Sequence, residues 1–166
     1  KFYNELLFEH ELIGGNIPEF HEDISAASSA ITRAELVRDL VLVGGISMEN
    51  LPEIHFNDVS SADWFYNFVR AAIKAGFIQD STDAFRPVSQ VPRDLAASLL
   101  MNAYAIDFSN FTLPESLFTD LGTSAFASEI TALYNLSITG GFGGDVTKFQ
   151  PSSNIARDTF YKWLVL

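Results

Sequence analysis

Residues 56 to 95 contain Phe56-Asn57-Asp58-Val59, then Trp64, Gly76, Phe85-Arg86-Pro87 and Val91-Pro92-Arg93-Asp94-Leu95. Residues 118 to 158 repeat the pattern as Phe118-Thr119-Asp120-Leu121, then Phe126, Gly140, Phe149-Gln150-Pro151 and Ile155-Ala156-Arg157-Asp158. The interval from Phe56 to Phe118 equals that from Asp58 to Asp120. The interval from Phe85 to Phe149 equals that from Arg93 to Arg157 and is only slightly longer. The closing phrase also stands earlier, as Ile31-Thr32-Arg33-Ala34-Glu35-Leu36, at nearly the same spacing ahead of Val91-Pro92-Arg93-Asp94. A fixed internal period sets the architecture before any single residue is interpreted.

Each period reads as two helices joined by a loop containing Gly and Pro. Trp64, Phe65, Phe68, Val69, Ala72 and Ile73 follow helical spacing, with Ser60 and Asp63 as a start signal and Gly76 as a stop. Asp80, Ser81, Asp83, Pro87 and Ser89 supply turn chemistry up to Val91. A further helix is expected from Pro92 to about Ile106, others near Ser124–Leu136 and from Ala156 to the end, and in the first unit near Phe2–Leu12 and from Thr32 to about Val43. Linkers fall near 44–54 and 107–117. Phe85 and Phe149 read as core plugs, and the glycine-rich stretch from Gly140 to Gly144 reads as a loop. The fold class is therefore all-α.

Composition narrows the function classes. Hydrophobic residues make up 48% of the 166 positions and include 15 Phe, which is ample for a core. The net charge of −11, with 10 basic residues scattered among 21 acidic ones, argues against nucleic acid and anionic lipid as partners. No apolar run approaches the ~20 residues needed to span a bilayer, so no membrane insertion by this segment is expected. Absence of cysteine excludes disulfides and thiolate metal sites. The chain opens at Lys1 inside an expected helix, as an excised segment of something longer would. No nucleophile elbow or zinc-protease histidine pair is present, so an enzyme is not expected and neither a metal nor a cofactor is implied.

Thr32 and Glu35 have the spacing of a capping box, in which each side chain takes the other's backbone N–H. Pro92 suits a first helical turn, and Asp94 and Asp158 place negative charge at a positive helix end. The helix dipole disfavours a cation in the same turn, so Arg33, Arg93 and Arg157 call for another explanation: an external anion or a fixed carboxylate partner.

Phe-x-Asp-Val, then Trp, Gly, Phe-x-Pro and Ile-Thr-Arg-Ala-Glu, is similar to the surface-layer homology, or SLH, domain. The resemblance covers nearly the whole chain as three repeats, 1–46 (partial), 54–107 and 116–166, together one pseudo-trimeric domain. It implies a pseudo-threefold assembly around a central three-helix bundle, and a module that anchors exported proteins to the bacterial cell wall without covalent attachment. The implied partner is a secondary cell-wall polysaccharide bearing a pyruvylated sugar, or modified peptidoglycan in an outer-membrane organism, bound in grooves between repeats.

Matched position by position, the implied carbohydrate-binding residues are Arg33, Arg93 and Arg157, Asp58 and Asp120, Trp64, and the loop glycines Gly14 and Gly140. A pyruvyl carboxylate suits a guanidinium assisted by free N–H groups at a helix start. Asp accepts from sugar hydroxyls, and an indole stacks on a pyranose. The chain departs from the family pattern at Phe126, which replaces Trp, at Pro92 and Ala156, which replace Thr, and at Asp94 and Asp158, which replace Glu. These departures favour the neighbourhood of Arg93 and Trp64 as the working site, and they motivate an alternative, a structural or assembly module with a degraded glycan site.

Overall fold

The recurring phrase before each arginine is where the three repeats meet. Ile31 N–H donates to the Ile155 carbonyl (3.1 Å), Ile155 N–H to the Val91 carbonyl (2.8 Å), and Val91 N–H to the Ile31 carbonyl (3.3 Å), closing a cycle. Antiparallel bridges at Ala30–Ala156, Thr32–Gln90 and Pro92–Asn154 flank it, one for each pair of repeats. The Ile31, Val91 and Ile155 side chains are all buried, so the cycle is sealed from water. The computed structural model describes residues 28–107, 115, 117–122 and 124–164. The expected helix near Phe2–Leu12 and Gly14 lie outside them.

Three helices leave this ring: α1 (Arg33–Val43), α3 (Arg93–Ala103) and α5 (Arg157–Leu164). Two more, α2 (Tyr66–Ala75) and α4 (Ala127–Asn135), belong to the second and third repeats. Among the described residues these five helices and isolated bridges are the regular structure, so the chain is all-α. The α1 helix packs against α2 and α3, and α3 packs against α4. None of these helices is long and apolar enough to cross a membrane.

Local chemistry sets most boundaries. Thr32 and Glu35 form the expected capping box at the start of α1. Gly76 ends α2 at φ +84, a left-handed turn that costs glycine little. The α2 start differs from the expected one. Asp63 accepts from the Ser60 N–H at 2.7 Å and donates its own N–H to the Ser60 carbonyl, forming a separate turn. The helix therefore begins at Tyr66 and leaves Trp64 ahead of it, not on its apolar stripe.

The core runs continuously through all three repeats. Leu36, Leu40, Leu100, Ile130, Leu133, Phe85, Phe149 and Phe160 are each at most 1% exposed. Phe85 packs on Phe56 and Phe65, and Phe149 on Phe118 and Trp163. Ala127 stands where the repeat spacing places the counterpart of Phe65, and in the third repeat Trp163 supplies the stacked partner instead.

Because the ring ties each repeat to both others, unfolding is expected as one transition. Ile31→Ala, in the first repeat, should cost about 2–5 kcal/mol. It should move the urea midpoint read by Trp64 and Trp163 fluorescence together with that read by helical circular dichroism. Two separated transitions would show repeats that melt independently.

Candidate functional site

The first turns of the ring helices carry the arginines, and their backbone donors are already used. Arg33, Arg93 and Arg157 donate their N–H groups to the carbonyls of Ser89, Ser153 and Ser29, each at 2.9 Å. Ala34 and Asp94 donate to the carbonyls of Pro87 and Pro151 at 2.9 and 3.1 Å. Each helix start is thus capped by the loop of the next repeat, in the cyclic order first to second, second to third, third to first. The expectation that free helix N–H groups assist anion binding is corrected here, because neighbouring carbonyls occupy them. What faces each inter-repeat cleft is side-chain chemistry.

In the first cleft, Arg33 reaches from the first repeat onto the second. Its guanidinium carbon lies 5.1 Å from the centre of the Phe85 ring. Its Nε is buried and has no hydrogen-bond partner. No carboxylate pairs with it among the described residues. Burial and the nearby Arg86 charge pull the Arg33 guanidinium below its ordinary range, and Asp58 only partly offsets them. Phe85 stacks on Phe65, Phe65 meets Trp64 edge-on at 5.4 Å, and Arg38 lies 5.6 Å from the Trp64 ring. Two α1 guanidiniums thus cap one aromatic row. Trp64 is 43% exposed, so it lines the surface and is not a core residue.

In the second cleft, Arg93 takes the equivalent place on the third repeat but sits deeper. It is 3% exposed, and its Nε donates to the Phe149 carbonyl at 2.8 Å. Its guanidinium lies 4.6 to 5.3 Å from the centres of Phe149, Phe142 and Trp163. Burial pushes it down to about 10, with only Asp120 acting the other way. Arg93 is therefore largely a packing residue. Arg93 and Trp64, paired in the sequence reading, belong to different aromatic groups among the described residues; Trp64 goes with Arg38 and the aromatic row beneath Arg33. Phe126 is half-buried just ahead of α4.

The third cleft differs in kind. Arg157 Nη2 lies 2.9 and 3.0 Å from the two Glu35 carboxylate oxygens, and its Nε is 3.4 Å from Ser29 Oγ. Burial raises the Glu35 carboxyl, but hydrogen bonds from Thr32 and Arg157 outweigh it and hold the group below its ordinary value. Behind this pair Arg38 meets Asp39 at 2.6 Å, and burial nevertheless pushes Asp39 upward.

The aspartates build the turns that present Phe85 and Phe149. Asp58 accepts from the N–H groups of Phe85 (2.6 Å) and Arg86 (2.8 Å). Asp120 accepts from those of Phe149 (3.0 Å) and Gln150 (2.9 Å). Arg86 and Gln150 adopt φ +60 and +56, left-handed conformations that cost about 1 kcal/mol or more for a residue with a Cβ. The paired carboxylate bonds hold that strain.

The glycine-rich stretch is a hydrogen-bonded turn closed by a Phe142–Asp145 bridge. It lays Phe142 on Arg93, a contact that sequence spacing did not signal. Gly140 has open space around it, whereas a Cβ on Gly141 would lie 2.0 Å from the Asp145 carbonyl oxygen, and Gly143 and Gly144 take positive φ, so these three positions favour glycine and Gly140 does not.

The family model described as S-layer homology domain matches residues 55–91 and 117–160. Over 134 residues the chain is 30% identical to the S-layer protein sap of Bacillus anthracis, covering 76% of this chain and 16% of that protein. It is 29% identical over 128 residues to an S-layer protein of Bacillus thuringiensis subsp. finitimus, covering 76% and 15%. It is 34% identical over 77 residues to the exoglucanase XynX of Acetivibrio thermocellus, covering 46% and 7%. The chain spans less than one-fifth of the length of each of these relatives.

Burial raises the Asp120 carboxyl, but the Phe149 and Gln150 N–H groups more than offset this and lower it. A depressed acid stabilises the fold above its unfolded value of about 4 and loses that contribution as pH falls through the folded value. Asp120→Ala should cost about 1–2 kcal/mol at pH 7, limited by solvent screening. It should also flatten the acid limb of a stability–pH curve measured by urea melts. An unchanged limb would show that these hydrogen bonds do not carry the turn.

Proposed function

The chain belongs to the S-layer homology domain family, and we propose on that premise that it is a non-catalytic module anchoring a larger exported protein to the bacterial cell wall. Its place is the cell surface. The partner is a cell-wall polysaccharide whose acidic sugar carries a pyruvyl carboxylate, held without metal or cofactor. One observation carries the reading: Arg33 lies over the Phe85 ring with no carboxylate partner among the described residues, in an aromatic row that ends in an exposed tryptophan.

That arrangement suits a pyruvylated sugar. The carboxylate finds a partly desolvated guanidinium already ordered by its stacking, which lowers the entropic cost of binding. Trp64 offers an apolar face to a pyranose ring. Arg86 adds local positive charge, which matters in a chain of net charge −11 that repels polyanions at long range. Beyond a screening length of about 8 Å at physiological salt, the repulsion fades and these local contacts decide. The second cleft differs, with Arg93 buried among Phe142, Phe149 and Trp163 and with Phe126 standing in sequence where the second repeat has Trp64. The relatives fit a modular role, because this segment is common to S-layer proteins and part of it to an exoglucanase.

The test is a pulldown on purified wall polysaccharide before and after removal of pyruvyl groups, with isolated peptidoglycan sacculi as a second arm. Retention that vanishes on depyruvylation is expected. Arg33→Ala should weaken it at least tenfold while leaving the melting temperature nearly unchanged, and Trp64→Ala should weaken it less. Retention on sacculi alone would move the partner to peptidoglycan. No retention in either arm would leave an assembly role without glycan binding.

A further inference from the structure

We infer that the length of the acidic side chain at positions 35, 94 and 158 decides which cleft is open, and that Glu35 occupies the third cleft as an internal substitute for an acidic ligand. This rests on the glycan-binding reading above and refines it. In the cyclic order each arginine faces the following repeat, so Arg33 faces the repeat of Asp94, Arg93 that of Asp158, and Arg157 that of Glu35. In the third cleft alone the acid reaches across, with both carboxylate oxygens within 3.0 Å of Arg157 Nη2.

The two aspartates are turned to other partners. Asp94 accepts from the Leu95 N–H through one oxygen and from the Ser124 hydroxyl through the other, at 2.7 and 2.9 Å. Asp158 accepts from the Thr159 N–H at 2.6 Å and from its hydroxyl at 3.3 Å. Each lacks one methylene relative to Glu, a reach shorter by about one C–C bond length of 1.5 Å. Each also lacks the threonine whose hydroxyl (2.6 Å) and N–H (2.9 Å) hold Glu35 Oε2 in place, because Pro92 and Ala156 stand there. The departures at positions 92, 94, 156 and 158, which read in sequence as decay of the site, are what leave Arg33 and Arg93 without an internal anion among the described residues. The one repeat that keeps the full Thr-Arg-Ala-Glu phrase is the one that closes a cleft.

Glu35→Gln separates charge from structure, because glutamine still serves a capping box. Titration calorimetry with the methyl glycoside of 4,6-O-pyruvyl-N-acetylmannosamine should give one more bound glycoside per chain for Glu35→Gln than for the parent. Glu35→Asp should act likewise by withdrawing the carboxylate. Adding Arg157→Ala to Glu35→Gln should return the count to that of the parent. An unchanged count in both single variants, with the parent still binding, overturns this inference and leaves the anchoring reading intact. A parent chain that binds no glycoside overturns the glycan reading and this inference with it.

Discussion

A helix that starts inside a protein needs acceptors for its first N–H groups, and no repeat here supplies all of its own. The loop of the next repeat does so, through the Ser29, Ser89 and Ser153 carbonyls. Removing a neighbour would leave buried donors unpaired, each costing on the order of 1–3 kcal/mol. The three units are therefore parts of one fold and not beads on a string. The same dependence positions the clefts, since the segments that cap α1 and α3 also carry the aromatic rings on which Arg33 and Arg93 rest.

Given capped helix starts, the arginines face two unfavourable terms, the positive end of the dipole and partial desolvation. The three repeats meet these costs differently. Arg33 and Arg93 lie on aromatic faces, whose negative quadrupole stabilises a cation by about 0.5–2 kcal/mol. Arg157 meets a carboxylate instead. Ser25 stands one period ahead of Phe85, so the first repeat has no phenylalanine at that position of the phrase. A pseudo-symmetric backbone thus carries three chemically distinct clefts.

Much of the fold was legible because its signals are local or periodic. The repeat offsets, the Thr32–Glu35 cap, the Gly76 stop and the burial of Phe85 and Phe149 were all readable from spacing and residue type. Asp58 and Asp120 stood out as ligand candidates through the repeat, and the structure uses them to hold two N–H groups each. What escaped depends on which repeat faces which. Sequence order places Trp64 and Arg93 in one repeat, but the ring sets the Trp64 row beneath α1. Phe142 lies in a glycine-rich loop with no apolar periodicity, so its packing on Arg93 left no signal. The Arg157–Glu35 contact joins residues 122 positions apart and follows only from the closure of the ring.

The hydrogen-bonded cycle of Ile31, Val91 and Ile155 also limits how such a chain can evolve. A circle of three has no open end, so a fourth copy finds no vacant donor or acceptor and must form a separate domain. Duplication can add whole trimers but cannot lengthen this one. Innovation is left to occur in place, as the members of a fixed set drift apart, and the unlike surroundings of Arg33, Arg93 and Arg157 are what that drift produces.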